Sequence, residues 1–137
     1  MTFKSFVPAT VWLVISIILL TIPSNDLPHN SFFDIEYFDK YVHFGMFFLL
    51  TVLFCYPFFY LDTDESIIKA WFWRILACVI VYGIAMEFVQ KFLSNGRSFD
   101  LADIVFDSLG SFGGLLLVSA IYKNKIGPNR NRGRNQN

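Results

Sequence analysis

Four long apolar runs alternate with short polar stretches along this chain, at about residues 5–22, 41–61, 73–93 and 101–122. Each approaches the roughly 20 residues that a helix needs to cross about 30 Å of hydrocarbon, so the pattern predicts an all-α, four-helix transmembrane bundle. Pro8 falls in the first turn of its run, where a missing N–H is harmless, and Pro57 near the far end of the second run predicts a kink. Between the third and fourth runs lies Ser94-Asn95-Gly96-Arg97-Ser98-Phe99, whose Asn-Gly suits a tight reversal. So short a connection makes the last two helices antiparallel neighbours. Asp100 stands where a helix N-cap is expected.

Polar residues inside the runs are few and grouped: Asp39, Lys40 and His43; Glu87 and Gln90; then Arg97, Asp100, Asp103 and Asp107. Asp39 and His43 are four apart, Glu87 and Gln90 three apart, and Asp100, Asp103 and Asp107 follow at three and four, so each group shares one helix face. In an up-down-up-down bundle all three groups meet at one end. Glu87 and Asp107 each lie about seven residues inside their helices, roughly 10 Å deep at 1.5 Å per residue. Gly110 and Gly114 continue the fourth helix's polar face as a small strip that admits a neighbouring helix, and Gly83 lies one turn below Glu87.

Composition supports the membrane reading: a chain of 137 residues with 55% hydrophobic and 19% aromatic residues and a mean hydropathy of +0.49 exceeds what a soluble domain of this length buries. Cys55 and Cys78 both sit in apolar runs, where they read as small buried residues and not as a disulfide or zinc pair. The organisation is therefore a membrane domain over residues 1–122 and a basic tail over 123–137, whose Gly, Pro and Asn content argues against packing.

Formal net charge is zero, but its distribution is uneven. Lys123, Lys125, Arg130, Arg132 and Arg134 occupy the tail without an acid, and with Lys4, Lys69 and Arg74 they place both termini in the cytoplasm; Lys40, Lys91 and Arg97 fall outside. Trp71 and Trp73 then anchor the inner interface, Tyr37 and Tyr41 the outer one. Under this orientation the polar groups form a cleft open to the outside. Five carboxylates there, Asp39, Glu87, Asp100, Asp103 and Asp107, cannot all be ionised and cheaply buried unless a cation joins them. No tight metal motif is present, and neither a metal nor another cofactor is assigned. Glu87 and Arg97 also read as an ion pair that locks the last hairpin.

Asp39-Lys40-Tyr-Val-His43-Phe44, Glu87-Phe-Val-Gln90, Arg97 and Asp103-Ile-Val-Phe-Asp107-Ser-Leu-Gly110 together resemble the VanZ-like family, named for an accessory protein linked to low-level teicoplanin resistance in bacteria. The likeness runs from Asp39 to about Gly114. It implies a small multi-pass protein of the bacterial cytoplasmic membrane and names no reaction. Asn is common in that family where Asp107 stands here.

Two functions fit the residues. In the first, the cleft binds a cell-wall precursor, a lipid head group or the antibiotic without catalysis; Arg97, Lys40 and His43 meet anionic groups while Asp103 and Asp107 receive cationic ones. The second is an intramembrane enzyme on a lipid-linked phosphoryl or acyl substrate, with Glu87 or Asp103 as base or metal ligand and Arg97 against developing charge. Ser94, Ser98 and Ser108 have no base at a suitable spacing. The partner is the lipid bilayer, with no nucleic acid, and a homo-oligomer stays open.

Overall fold

The computed structural model describes residues 3–22, 38–93 and 99–125. Arg97, the rest of the hairpin from Ser94 to Ser98, Tyr37 and most of the basic tail lie outside them. A 3₁₀ turn, Phe3–Phe6, leads into α1 (Val7–Thr21); α2 (Phe38–Cys55) runs on into a 3₁₀ segment, Tyr56–Tyr60; α3 covers Glu65–Leu93 and α4 Leu101–Lys125. All four are long and apolar enough to cross a membrane, and the chain is an all-α, multi-pass membrane protein.

Burial is inverted relative to a soluble bundle. Val7, Val11 and Ile18 of α1, Val81 and Phe88 of α3, and Val105, Leu109 and Leu116 of α4 face outward, while Lys40, His43, Glu87, Asp103 and Asp107 are buried. Apolar side chains lose nothing by facing lipid, whereas charged ones must find partners within the protein. Two apolar clusters fill the remaining interior. One, around Met46, Phe47, Leu50, Val79 and Met86, lies beneath the polar residues; the other joins Phe58, Ile68, Phe72, Leu115 and Tyr122 towards the opposite end.

α2 and α4 make the most intimate pair, and glycines set their spacing. A Cβ on Gly110 would stand 2.2 Å from the Phe44 carbonyl oxygen, and one on Gly114 would stand 2.6 Å from that of Phe48. At Gly83 the added carbon would meet Asp107 Oδ2 at 3.0 Å, so that glycine leaves room for the acid of the neighbouring helix.

Three local features differ from the apolar pattern. α3 begins at Glu65, about eight residues before the apolar run at 73–93, and its 29 residues measure about 43 Å. The helix continues through Lys69 and Arg74 because Ile68, Phe72 and Leu76 keep a buried stripe at four-residue spacing, while Lys69 and Glu65 pair at 2.7 Å on the exposed face. Pro57 does not kink a continuing helix. With no N–H to donate, it sits in the first turn of the 3₁₀ segment, where the α-helical ladder has already ended. Cys55 is buried, but Cys78, which the pattern places in the interior, is exposed.

Candidate functional site

Both ends of the helix order contribute to one polar cluster. α2 and α4 start, and α1 and α3 finish, at the same end of the bundle, and spacings of three (Lys40 to His43) and four (Asp103 to Asp107) turn these side chains inward there. Asp100 opens α4 as its N-cap: Ala102 N–H donates to Asp100 Oδ1 at 2.8 Å and Asp103 N–H to the Asp100 carbonyl at 3.1 Å.

Lys40 is the hub. Its ammonium donates to Asp100 Oδ2 and, at 2.5 Å, to Asp103 Oδ1, with Asp39 at 4.0 Å. Two helices are thereby cross-linked by one cation. The same bond holds the Asp100 carboxyl below the ordinary carboxylate range, helped by the Ala102 N–H.

Deeper in the bundle His43 Nδ1 lies 3.0 Å from Asp107 Oδ1, while Nε2 faces Asp39 Oδ1 at 3.9 Å. The imidazole thus connects an exposed carboxylate at the rim to a buried one about 9 Å inside α4, six residues from Leu101. Glu87 accepts the Asp100 backbone N–H at 2.5 Å, so α3 holds the free N-terminal end of α4 through a side chain. Among the described residues no buried side-chain nitrogen or oxygen lacks a partner.

Asp39, His43 and Asp103 each offer one donor atom, and the three atoms lie within 4.8 Å of one another, a set able to hold a metal ion. The Lys40 ammonium already occupies Asp103 Oδ1, so a metal would have to displace it or share that carboxylate.

Two expected members are placed differently. Gln90 does not join the cluster: its amide donates to the Leu20 carbonyl at 2.9 Å and so satisfies the C-terminal end of α1. Lys40 was expected to meet anionic groups of a ligand, yet its ammonium is engaged by the protein's own acids. The position of Arg97, and with it the expected pair to Glu87, lies outside the described residues. Asp100 enters the cluster as a charged member as well as a cap, a role visible in its three-residue spacing from Asp103. Two further polar contacts of α1 had no sequence signal: Ser16 and Tyr82 of α3 share a 2.8 Å hydrogen bond below the cluster, and Trp12 Nε1–H donates to the Met46 carbonyl of α2 at 3.1 Å.

A model of the VanZ/LLP1 family matches residues 2–122. An uncharacterised protein of the fission yeast Schizosaccharomyces pombe is 39% identical over 116 residues, which is 85% of this chain and 63% of the relative. The chain thus spans less than two thirds of that relative's length. No solved structure matches.

Proposed function

This chain belongs to the VanZ/LLP1 family, and we propose that its polar cluster binds the cationic amine of a membrane-borne ligand, a lipid head group before others. The observation that carries this reading is the excess of acid. Asp39, Asp100 and Asp103 gather around Lys40, Asp39 and Asp107 flank His43, and Glu87 adds a fifth carboxyl on the Asp100 backbone N–H, against two cationic groups among the described residues there. Asp103 and Asp107 are buried within the bundle, whereas the Asp39 and Asp100 side chains stay 53% and 44% exposed at the rim, Asp100 with one bond on each oxygen and room to accept a further donor. An ammonium entering there meets two carboxylates that open to the rim.

Amines also occur on cell-wall peptides and glycopeptide antibiotics, and these are the other candidate ligands. A fission-yeast relative favours a head group found in membranes generally. In this reading the cluster faces outward and both termini are cytoplasmic, as the basic residues suggest.

The experiment is calorimetric titration of the purified protein in detergent with short-chain phosphatidylethanolamine and, separately, phosphatidylglycerol. Phosphatidylethanolamine should give saturable heat that the Asp39→Asn, Asp100→Asn double variant loses, whereas any heat with phosphatidylglycerol should survive in that variant. Phosphatidylethanolamine heat that the double variant leaves unaffected, or phosphatidylglycerol heat lost together with it, overturns the proposal.

An intramembrane enzyme is the second reading, favoured by the Asp39, His43 and Asp103 donor set. As a metal centre it would polarise a phosphoryl or acyl oxygen. The described serines nearby are otherwise engaged, with Ser108 Oγ donating to the Ile104 carbonyl and Ser111 Oγ to that of Asp107, both at 2.7 Å. Saturable binding of Mn²⁺ or Zn²⁺ that His43→Asn abolishes would move the assignment to this reading.

A further inference from the structure

A second concave surface runs from beneath the polar cluster towards the opposite end of the bundle. A groove of about 350 Å³ opens between α1, α2 and α3, walled by Leu13, by Leu50 and Phe54, and by the face of α3 that runs from Trp71 to Tyr82. That face is about 16 Å long, eleven residues at 1.5 Å each. Its walls are almost entirely apolar, and Cys78 on its flank is exposed.

Arg74 stands towards one end. Its guanidinium lies 4.9 Å from the centre of the Trp71 ring, and among the described residues no carboxylate pairs with it. Along α3, Arg74 is thirteen residues, about 20 Å, from Glu87. The polar cluster marks one membrane face, so Arg74 falls near the other, at the depth where lipid phosphates lie. Lys4, Lys69 and Lys123 belong to the same end of the bundle. Glu65 there is paired with Lys69, and Asp62 and Asp64 lie in the loop before α3, more than two turns below Arg74.

We propose that this groove is a binding site for an anionic glycerophospholipid of the leaflet opposite the polar cluster, with one acyl chain along α3 and its phosphate on Arg74. A long apolar cleft with a single cation at its interfacial end is the complement of a chain that ends in one anionic group. A helix from a second copy fits less well. Close helix approach needs small residues, and Phe54, Trp71 and Tyr82 are large.

The test is native mass spectrometry of the full-length protein, released from detergent after titration with palmitoyl-oleoyl phosphatidylglycerol or phosphatidylcholine. The wild type should bind the first lipid about tenfold more tightly. Arg74→Gln should remove that preference, Arg74→Lys should keep most of it, and Cys78→Trp, which fills the groove from its exposed side, should weaken both lipids. As a check independent of ionisation, bound phosphatidylglycerol should slow maleimide labelling of Cys78 in the wild type and not in Arg74→Gln. An unchanged preference in Arg74→Gln, equal binding of the two lipids, or a dimer that Cys78→Trp dissociates would overturn the proposal. The Asp39→Asn, Asp100→Asn double variant should leave this preference intact, which separates the groove from the polar cluster.

Discussion

Gly110→Ala should be among the most damaging single-methyl additions available in this chain. The new Cβ would stand 2.2 Å from the Phe44 carbonyl oxygen, 2.9 Å from its carbon and 3.0 Å from Cα. A carbon and a carbonyl oxygen ordinarily approach no closer than about 3.3 Å, so α2 and α4 must separate by roughly 1 Å. The obstacle is backbone within a helix, which cannot rotate aside as a side chain can. That separation acts on the same helix pair that carries Lys40 with Asp103 and His43 with Asp107. Overpacking of this kind costs about 1–3 kcal/mol, against which alanine's helix propensity returns at most about 1 kcal/mol.

Gly45 supplies the control, because a Cβ there meets nothing within 4 Å. At Gly113 the nearest atom is the Phe48 ring edge at 3.3 Å, which can turn. Thermal unfolding in one detergent should therefore rank the alanine variants Gly45 and Gly113 above Gly114, and Gly114 above Gly110. Gly110→Ala should unfold at least about 5 °C below Gly45→Ala. Equal midpoints for Gly110→Ala and Gly45→Ala would refute the close approach of α2 and α4, and the geometry of the polar cluster with it.

Asp107→Asn keeps an oxygen for His43 and should leave the midpoint nearly unchanged, whereas Asp107→Leu strands the imidazole and should cost several degrees in the same assay. Asp100 has its pKa lowered in the fold, so its ionised form stabilises the protein above the unfolded value of about 3.9 and loses that effect as pH falls through the lower folded value. The midpoint difference between wild type and Asp100→Asn should be constant near neutrality and shrink below about pH 4; a gap that widens there would contradict the Lys40 bond. For orientation, single cysteines at Ser94 and Asn129, with Cys55 and Cys78 replaced by Ala, should differ towards an impermeant thiol reagent on intact cells. Ser94 should label and Asn129 should not, and the reverse would place the polar cluster in the cytoplasm.

What was legible in the sequence followed from two strong signals. Hydropathy marks four spans because lipid tolerates little else over 20 residues, and charged residues inside them stand out because each must be housed by the protein. The start of α3 is hidden by Glu65 and Lys69, whose charges end an apolar run but not a helix; its buried stripe of Ile68, Phe72 and Leu76 needs one position in four. Gln90 was misplaced for another reason: its partner is the backbone carbonyl of Leu20, and a backbone acceptor on another helix leaves no mark in composition or spacing. The sequence marks Lys40 as polar but not as the hub, since only the docking of α4 shows that Asp100 and Asp103 both reach it. The groove was invisible, because its apolar lining residues look like any lipid-facing surface until three helices are set side by side.

The central claim is that the acidic rim receives a cation from a membrane ligand, and its most direct test is an experimental structure of the protein kept in native lipid. The account predicts density for an amine-bearing head group within about 3.2 Å of both the Asp39 and Asp100 carboxylates, with Lys40 still held by Asp103. Water alone at the rim, or a phosphate seated on Lys40 in place of Asp103, would contradict it.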